Sequence, residues 1–262
     1  MGLTQQSCGS GVTRESFIKG HAAKADYVIA LAGNPNTGKS TVFNALTGLS
    51  QHTGNWPGKT VLRAEGGYLH RGLVFKLVDL PGAYSLMANS VEEQVSRDYL
   101  CFGKPDATVV VVDATCLERN LNLVLQVLEI TPKVVVCVNL VDEAERKKIQ
   151  IDYQALADEL GAPVVPTAAR EGYGLNRLVE TISDIAEGHI TTTPCVVRYR
   201  EVIENAIRKL EPGIKQLVGD AFNARWVALR LLDKDQTVIA AIEQWLAGRR
   251  SSAAGSGELI LS

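Results

Sequence analysis

Long apolar runs are missing from this sequence of 262 residues. Its most hydrophobic stretches, YVIALAG from Tyr27, ATVVVVDA from Ala107 and KVVVCVNL from Lys133, stop far short of the roughly 18 residues a membrane helix needs. All three are rich in β-branched residues and read as buried strands, so the chain as given is expected to be soluble. A basic excess is missing too. Lys and Arg number 27 against 29 Asp and Glu, which argues against nucleic acid or anionic lipid as a main partner. Paired cysteines are absent: Cys8, Cys101, Cys116, Cys137 and Cys195 are scattered with no Cys-x-x-Cys, as expected of inert thiols in a reducing cytoplasm. The histidines, His21, His52, His70 and His189, lack metal-ligand spacing. No signal-peptide core occupies the first 25 residues, and Gln6 stands where a myristoylation pattern wants Ser or Thr, so neither export nor a lipid anchor is expected.

What is present is an alternation. Apolar content of 46% with 21% charged residues can fill a core. The pattern predicts strands at 27–33, near 60–68, 73–79, 107–113, 133–139 and 163–167. Helices are expected from Lys39 and at 91–102, 117–130, 153–160 and 174–187. Nearly continuous apolar strands between amphipathic helices specify an α/β fold whose mostly parallel sheet is covered on both faces and binds ligands at the carboxyl ends of its strands. After HITTTPCVVRYR the strand signals stop. Val202, Ile203, Ala206, Ile207 and Leu210 follow at helical spacing, then a break at EPG, then ARWVALRLLD and TVIAAIEQWLAG, with Trp226 and Trp245 read as core. The expected organisation is a flexible extension over 1–26, an α/β domain over 27–190, a small all-α domain over 191–249 and a flexible tail or linker over 250–262.

Chemistry concentrates in a few loops. GNPNTGKS, between a strand and a helix, has the spacing of a phosphate-binding loop. Its members Gly33, Asn34, Pro35, Asn36, Thr37, Gly38, Lys39 and Ser40, with Thr41, would wrap a nucleotide's phosphates, Lys39 supplying charge and Ser40 a hydroxyl to Mg²⁺. DLPG, formed by Asp79, Leu80, Pro81 and Gly82, follows a strand where a second phosphate loop belongs; Asp79 would hold Mg²⁺ through water and the Gly82 N–H would meet the γ-phosphate. Between them, QHTGNWPGKT is too polar and broken for a regular element and reads as a switch loop. It places Gly58 and Lys59 beside the nucleotide and Thr60 on Mg²⁺. Trp56 in that loop either packs on its own loop or shields the nucleotide.

VNLVD departs by one residue from the Asn-Lys-x-Asp that reads guanine. Asp142 can accept from guanine N1–H and the exocyclic amine, Asn139 can tie the loop to the phosphate loop, and Leu140 can replace the apolar stem of the usual Lys. Guanine preference is therefore expected, at micromolar affinity. Thr167, Ala168 and Ala169 follow the last strand, with the Ala168 N–H aimed at guanine O6. Ala83 and Tyr84 stand where many GTPases carry a water-orienting Gln, so intrinsic hydrolysis is expected to be slow. Asn36 has two readings, a loop-shaping hydrogen bond or a ligand to a monovalent cation such as K⁺. The catalytic set is Asn36, Lys39, Thr60 and Gly82. Glu92, Glu93 and Asp98 are read as a solvated helix face rather than an iron site.

GNPNTGKSTVFNALTG, HTGNWPGKTV, DLPGAYSL, SVEEQVSRDYL and VVDATCLERNLNLVLQVLE together resemble the cytosolic N-terminal region of the ferrous iron transport protein B (FeoB) family over residues 27 to about 249. The resemblance implies a Ras-like GTPase domain and a helical domain acting like a nucleotide-dissociation inhibitor. GTP or GDP, Mg²⁺ and K⁺ would be the cofactors, with K⁺-stimulated hydrolysis and fast GDP release. The implied role is control of Fe²⁺ uptake at the cytoplasmic face of the bacterial inner membrane. Implied partners are the chain's own transmembrane iron-permease domain, small accessory transport proteins and a second copy of the chain, without nucleic acid. Thr37 and the Thr167-Ala168-Ala169 loop depart from common patterns and bear on release rate and cation dependence. Two rivals are weighed. An RNA-associated GTPase would need a basic module where residues 196–249 are mixed in charge and apolar, and a pure nucleotide sensor would follow if Ala83 and Tyr84 leave no turnover.

Overall fold

Valine fills the middle of the molecule. The computed structural model describes residues 25–48, 51–56, 59–87 and 90–255, with side chains over the same ranges except 51, 52 and 248–255. Readings made for Cys8, His21, Gly58, most of the amino-terminal extension and the end of the tail lie outside the described residues. Strand β1 (Tyr27–Gly33) leads into helix α1 (Lys39–Thr47), then β2 (Gln51–Asn55), β3 (Leu62–His70) and β4 (Leu73–Asp79). Helix α2 (Val91–Asp98) runs into a π-helix over Tyr99–Gly103, followed by β5 (Ala107–Asp113), a 3₁₀ turn at Ala114–Cys116 and α3 (Leu117–Ile130). Next come β6 (Val134–Asn139), α4 (Val141–Arg146), α5 (Tyr153–Leu160), β7 (Val164–Pro166) and α6 (Leu175–Ala186). The chain ends in α7 (Glu201–Val218), α8 (Ala224–Leu232) and α9 (Gln236–Gly255).

The strands form one sheet in the order β2-β3-β4-β1-β5-β6-β7. From β4 to β7 every pairing is parallel, and β2 and β3 extend the edge antiparallel. Successive strand side chains point to opposite faces. Val110, Val112, Val136 and Val138 therefore pack with α2, α3 and α5, while Val109, Val111, Val135 and Cys137 pack with α1 and α6. Full coverage of both faces is why these strands read as unbroken apolar runs.

Four elements differ from the sequence reading. Gln51–Asn55 forms an edge strand, each residue paired with β3 from Gln51↔Gly66 to Asn55↔Leu62, although no apolar alternation marks it. Main-chain hydrogen bonds carry that pairing, and its end is fixed by Trp56, which is buried and whose N–H donates to the Val61 carbonyl at 2.9 Å. The expected helix 91–102 changes pitch at Tyr99 and ends in the π-helix. Helix α7 continues through EPG because Pro212 lies on its solvent face, where water can serve the carbonyl that loses its partner; Ile207, Ile214 and Val218 bury the other face. That same geometry turns Val202 out to solvent at 81% exposure. Finally, the α9 backbone stays helical to Gly255, beyond the point at which a flexible tail was expected.

The helical part packs on the sheet domain through the π-helix. Tyr99 meets Trp56 edge-on at 5.2 Å, and three residues later Phe102 meets Phe222 at 5.3 Å, which in turn meets Trp245 at 4.8 Å. A Cβ on Gly103 would sit 3.0 Å from a Tyr99 ring carbon, so glycine there lets the ring lie across the helix end toward Trp56. Beside this seam Arg97, 1% exposed, reaches from α2 to Asp235 (3.3 Å) and Thr237 (3.1 Å) at the start of α9 and to Asp98 (2.8 Å). Asp235 is itself held by the Thr237 and Val238 N–H groups.

Removing the guanidinium would strand the Asp235 carboxylate, 14% exposed, without its cation. Arg97→Ala is expected to cost about 3–5 kcal/mol in urea unfolding, with a much smaller loss for Asp98→Asn, whose carboxylate is 40% exposed. A second expectation concerns acid. Arg225 donates to both Glu204 oxygens (2.8 and 2.7 Å) and Tyr199 N–H adds a third bond, holding the carboxyl down to about 2. A depressed folded-state pKa stabilises above the ordinary carboxylate range and loses that contribution as pH falls toward about 2. The thermal midpoint should therefore drop over that window, and drop less in Glu204→Gln.

Candidate functional site

Where β1 ends, the backbone must pass close to its neighbour. A Cβ on Gly33 would lie 2.6 Å from the Val111 carbonyl oxygen, so the loop can begin only with glycine. Asn36 then takes a left-handed conformation (φ 67°), which asparagine tolerates, and its side chain is exposed. Thr37 is buried and its hydroxyl donates to the Asn34 carbonyl at 3.0 Å. Pro35 is half-buried, and Asn34 is buried. Gly38 (φ 78°) caps α1 without any side-chain bond. The first described helical bond is Val42 N–H to the Gly38 carbonyl, which leaves the N–H groups of Lys39, Ser40 and Thr41 at an uncapped, electropositive helix start. The Ser40 and Thr41 side chains are exposed there.

The second loop lies against the first. Lys39 Nζ donates to Asp79 Oδ1 at 2.5 Å and to the Leu80 carbonyl at 2.8 Å. Burial pushes the Asp79 carboxyl above its ordinary range, while the Lys39 charge and hydrogen bond pull it back. Ala83 N–H donates to the Gly33 carbonyl at 3.2 Å, and a Cβ on Gly82 would touch Pro35 at 3.4 Å, so Pro81 and Gly82 ride directly on the phosphate loop. Ala83 is buried. Tyr84 is 46% exposed, with the Arg119 guanidinium 4.6 Å over its ring.

The base-side loops are knitted by one amide. Asn139 Nδ2 donates to the Thr37 carbonyl at 3.0 Å, and its Oδ1 accepts from the Thr167 hydroxyl and the Ala169 N–H, both at 3.1 Å. Leu140, left-handed at φ 64°, places its Cδ2 3.9 Å from where a Cβ on Gly38 would be. Asp142 heads α4 and accepts from Arg146 one turn on, Nη2 to Oδ2 at 2.9 Å.

Three residues stand elsewhere than the sequence reading expects them beside a nucleotide. The Ala168 N–H, expected to face guanine O6, donates to the Tyr173 carbonyl at 3.2 Å, in a two-way bridge that closes the 168–173 turn. Lys59 directs its ammonium to Gln94 of α2 at 2.9 Å rather than to the phosphate loop. Thr60 is exposed at the β2–β3 turn, and no described contact joins it to Ser40 or Asp79. Trp56 packs into the core against Tyr99 under the Arg63 guanidinium, more than into its own loop. Among the described residues no group of three or more His, Cys, Asp or Glu could hold a metal ion, and Glu93 accepts from the Ser85 hydroxyl at 2.9 Å. Sequence reasoning missed Arg146, Tyr173 and Gln94. Only Arg146 carried a signal, an Arg four residues after an Asp in a short acidic stretch.

Truncating the buried amide would orphan the Thr37 carbonyl and the Ala169 N–H. Asn139→Ala is expected to destabilise the chain by about 2–4 kcal/mol in denaturant unfolding, and Thr167→Ala, which leaves the amide bonded to the Thr37 carbonyl and the Ala169 N–H, by less.

The sequence from 27 to 182 matches the family model described as ferrous iron transport protein B, and 199–254 matches the FeoB cytosolic helical domain. The Fe(2+) transporter FeoB of Salmonella typhimurium is 46% identical over 211 residues, covering 79% of this chain and 27% of that protein. The chain thus spans about a quarter of the length of such curated relatives. Among solved structures, the cytosolic domain of the T. maritima FeoB iron transporter in GDP form I superposes with a TM-score of 0.76 at 37% identity, over 84% of this chain and 86% of that one. Its GMPPNP form gives 0.70 at 37% identity, over 78% and 80%. This chain, a phosphate-loop α/β domain followed by the family's cytosolic helical domain, belongs to the ferrous iron transport protein B family.

Proposed function

We propose that the chain binds and hydrolyses GTP and uses the nucleotide state to regulate Fe²⁺ passage through a membrane domain outside this sequence. The carrying observation is the convergence of the phosphate loop, DLPG loop and base loops through Lys39–Asp79, Ala83–Gly33 and the Asn139 amide. The uncapped start of α1 and the Gly38 position, where a Cβ would strike Asn139 Nδ2 at 2.4 Å, fit a backbone cradle for phosphate. Relatives solved in GDP and GMPPNP forms support the same reading.

In this mechanism the backbone from Gly33 to Ser40 wraps the phosphates and Lys39 exchanges Asp79 for phosphate oxygens. Ser40, Thr60 and Asp79 are the residues that would hold Mg²⁺, which when bound neutralises charge developing on the β- and γ-phosphates. Asp79, half-buried and already facing a cation, suits that role. Thr60 must move from its exposed turn to join, so residues 51–60 form the switch, with 79–90 as its partner. Gly82 offers its N–H without a side chain in the way. Asn36, exposed and left-handed beside this region, is the residue that would hold K⁺, and the bound cation would supply charge that no side chain of Ala83 or Tyr84 can. Asp142 selects guanine while Leu140 covers the base. The chain acts at the cytoplasmic face of a bacterial inner membrane, with its own permease domain as partner.

Phosphate release should be slow in sodium buffer, faster with GTP in potassium, and near background with ATP in either. Asn36→Ala should remove the potassium effect, and Lys39→Ala should abolish turnover; comparable turnover of ATP and GTP would refute the reading.

A further inference from the structure

Arg146 is clamped at the edge of the base loop. Its Nη2 donates to Asp142 Oδ2 at 2.9 Å and lies 2.7 Å from Glu143 Oε1, and its Nε reaches the Asp142 carbonyl at 3.3 Å. Three oxygens from one helical turn thus hold a guanidinium that is otherwise 65% exposed. Asp142 Oδ1 has no partner among the described residues.

We infer that Arg146 is a specificity-determining residue that competes with guanine for the Asp142 carboxylate; this rests on the guanine-reading role proposed above for Asp142. Guanine brings two donors, N1–H and the 2-amino group, one for each carboxylate oxygen. Oδ1 is free for the first. Oδ2 must share or surrender a charge-assisted bond to accept the second, and a fixed cation beside the donor edge of the base repels the same hydrogens. Hypoxanthine lacks the 2-amino group and asks only for one oxygen. Arg146 therefore weakens guanine more than hypoxanthine and narrows the margin between them. Because the pair is mostly solvated, the effect is roughly two- to fivefold in affinity and shrinks at high salt.

The test is calorimetric titration of the whole chain with GDP, IDP and ADP, comparing the unsubstituted protein with Arg146→Met, which keeps the stem and removes the charge, and with Arg146→Gln as a second variant. GDP is expected to bind roughly two- to fivefold tighter in both variants, IDP to tighten by less, and the ratio of GDP to IDP affinity to rise accordingly. A loose or damaged fold would move both nucleotides together. An unchanged ratio, or weaker GDP binding with preference over ADP intact, would overturn the role of Arg146 alone. Equal binding of GDP and ADP by the unsubstituted chain would overturn this role together with the guanine reading.

Discussion

One buried amide organises the ligand end of the sheet. Asn139 stands at the end of β6, and its amide ties that strand end to the loops that grow from β1 and β7. These loops are not neighbours in sequence, and neither has a regular hydrogen-bond ladder of its own to define its shape. A side chain with two donors and a two-lone-pair acceptor can satisfy all three partners at once. Its burial makes each bond costly to leave unmade. The left-handed Gly38 follows from the same constraint, since any side chain there would collide with the amide. Lys39, one residue on, inherits its position from that turn.

Around this centre the loops proposed as switches are held by weaker, more local contacts. The first proposed switch is tied by edge pairing, by Trp56 and by the Lys59–Gln94 bond; the second touches the helical domain through the Arg230–Met87 contact at 3.3 Å, and α2 beside it does so through Arg97. Both routes converge on the stretch from α2 through the π-helix. Its change of pitch lets Tyr99 face Trp56 while Phe102 faces Phe222, so a single short segment contacts the β2–β3 hairpin on one side and the helical core on the other. The two domains therefore meet through a packed aromatic seam beside the Arg97–Asp235 ion pair.

Much of this was legible beforehand. The valine-rich strands, the helices on both faces and the phosphate loop follow from period and from Gly, Lys and Ser at fixed spacing, because burial and anion binding impose those patterns directly. Asn139 was placed against the phosphate loop from its position after a buried strand. The edge strand β2 was not visible, since main-chain pairing leaves no mark on a polar sequence. Nor was the Ala168–Tyr173 bridge, which depends on how a six-residue turn closes in space. Pro212 signalled a break that the structure does not make, because the signal describes the backbone and is silent about which face meets water.

The edge strand has a consequence for sequence drift. Thr53 and Asn55 point into solvent and contribute nothing that another small polar residue could not, whereas Trp56 plugs the end of the hairpin. Substitution can therefore wander freely along the ribbon while remaining locked at its final residue.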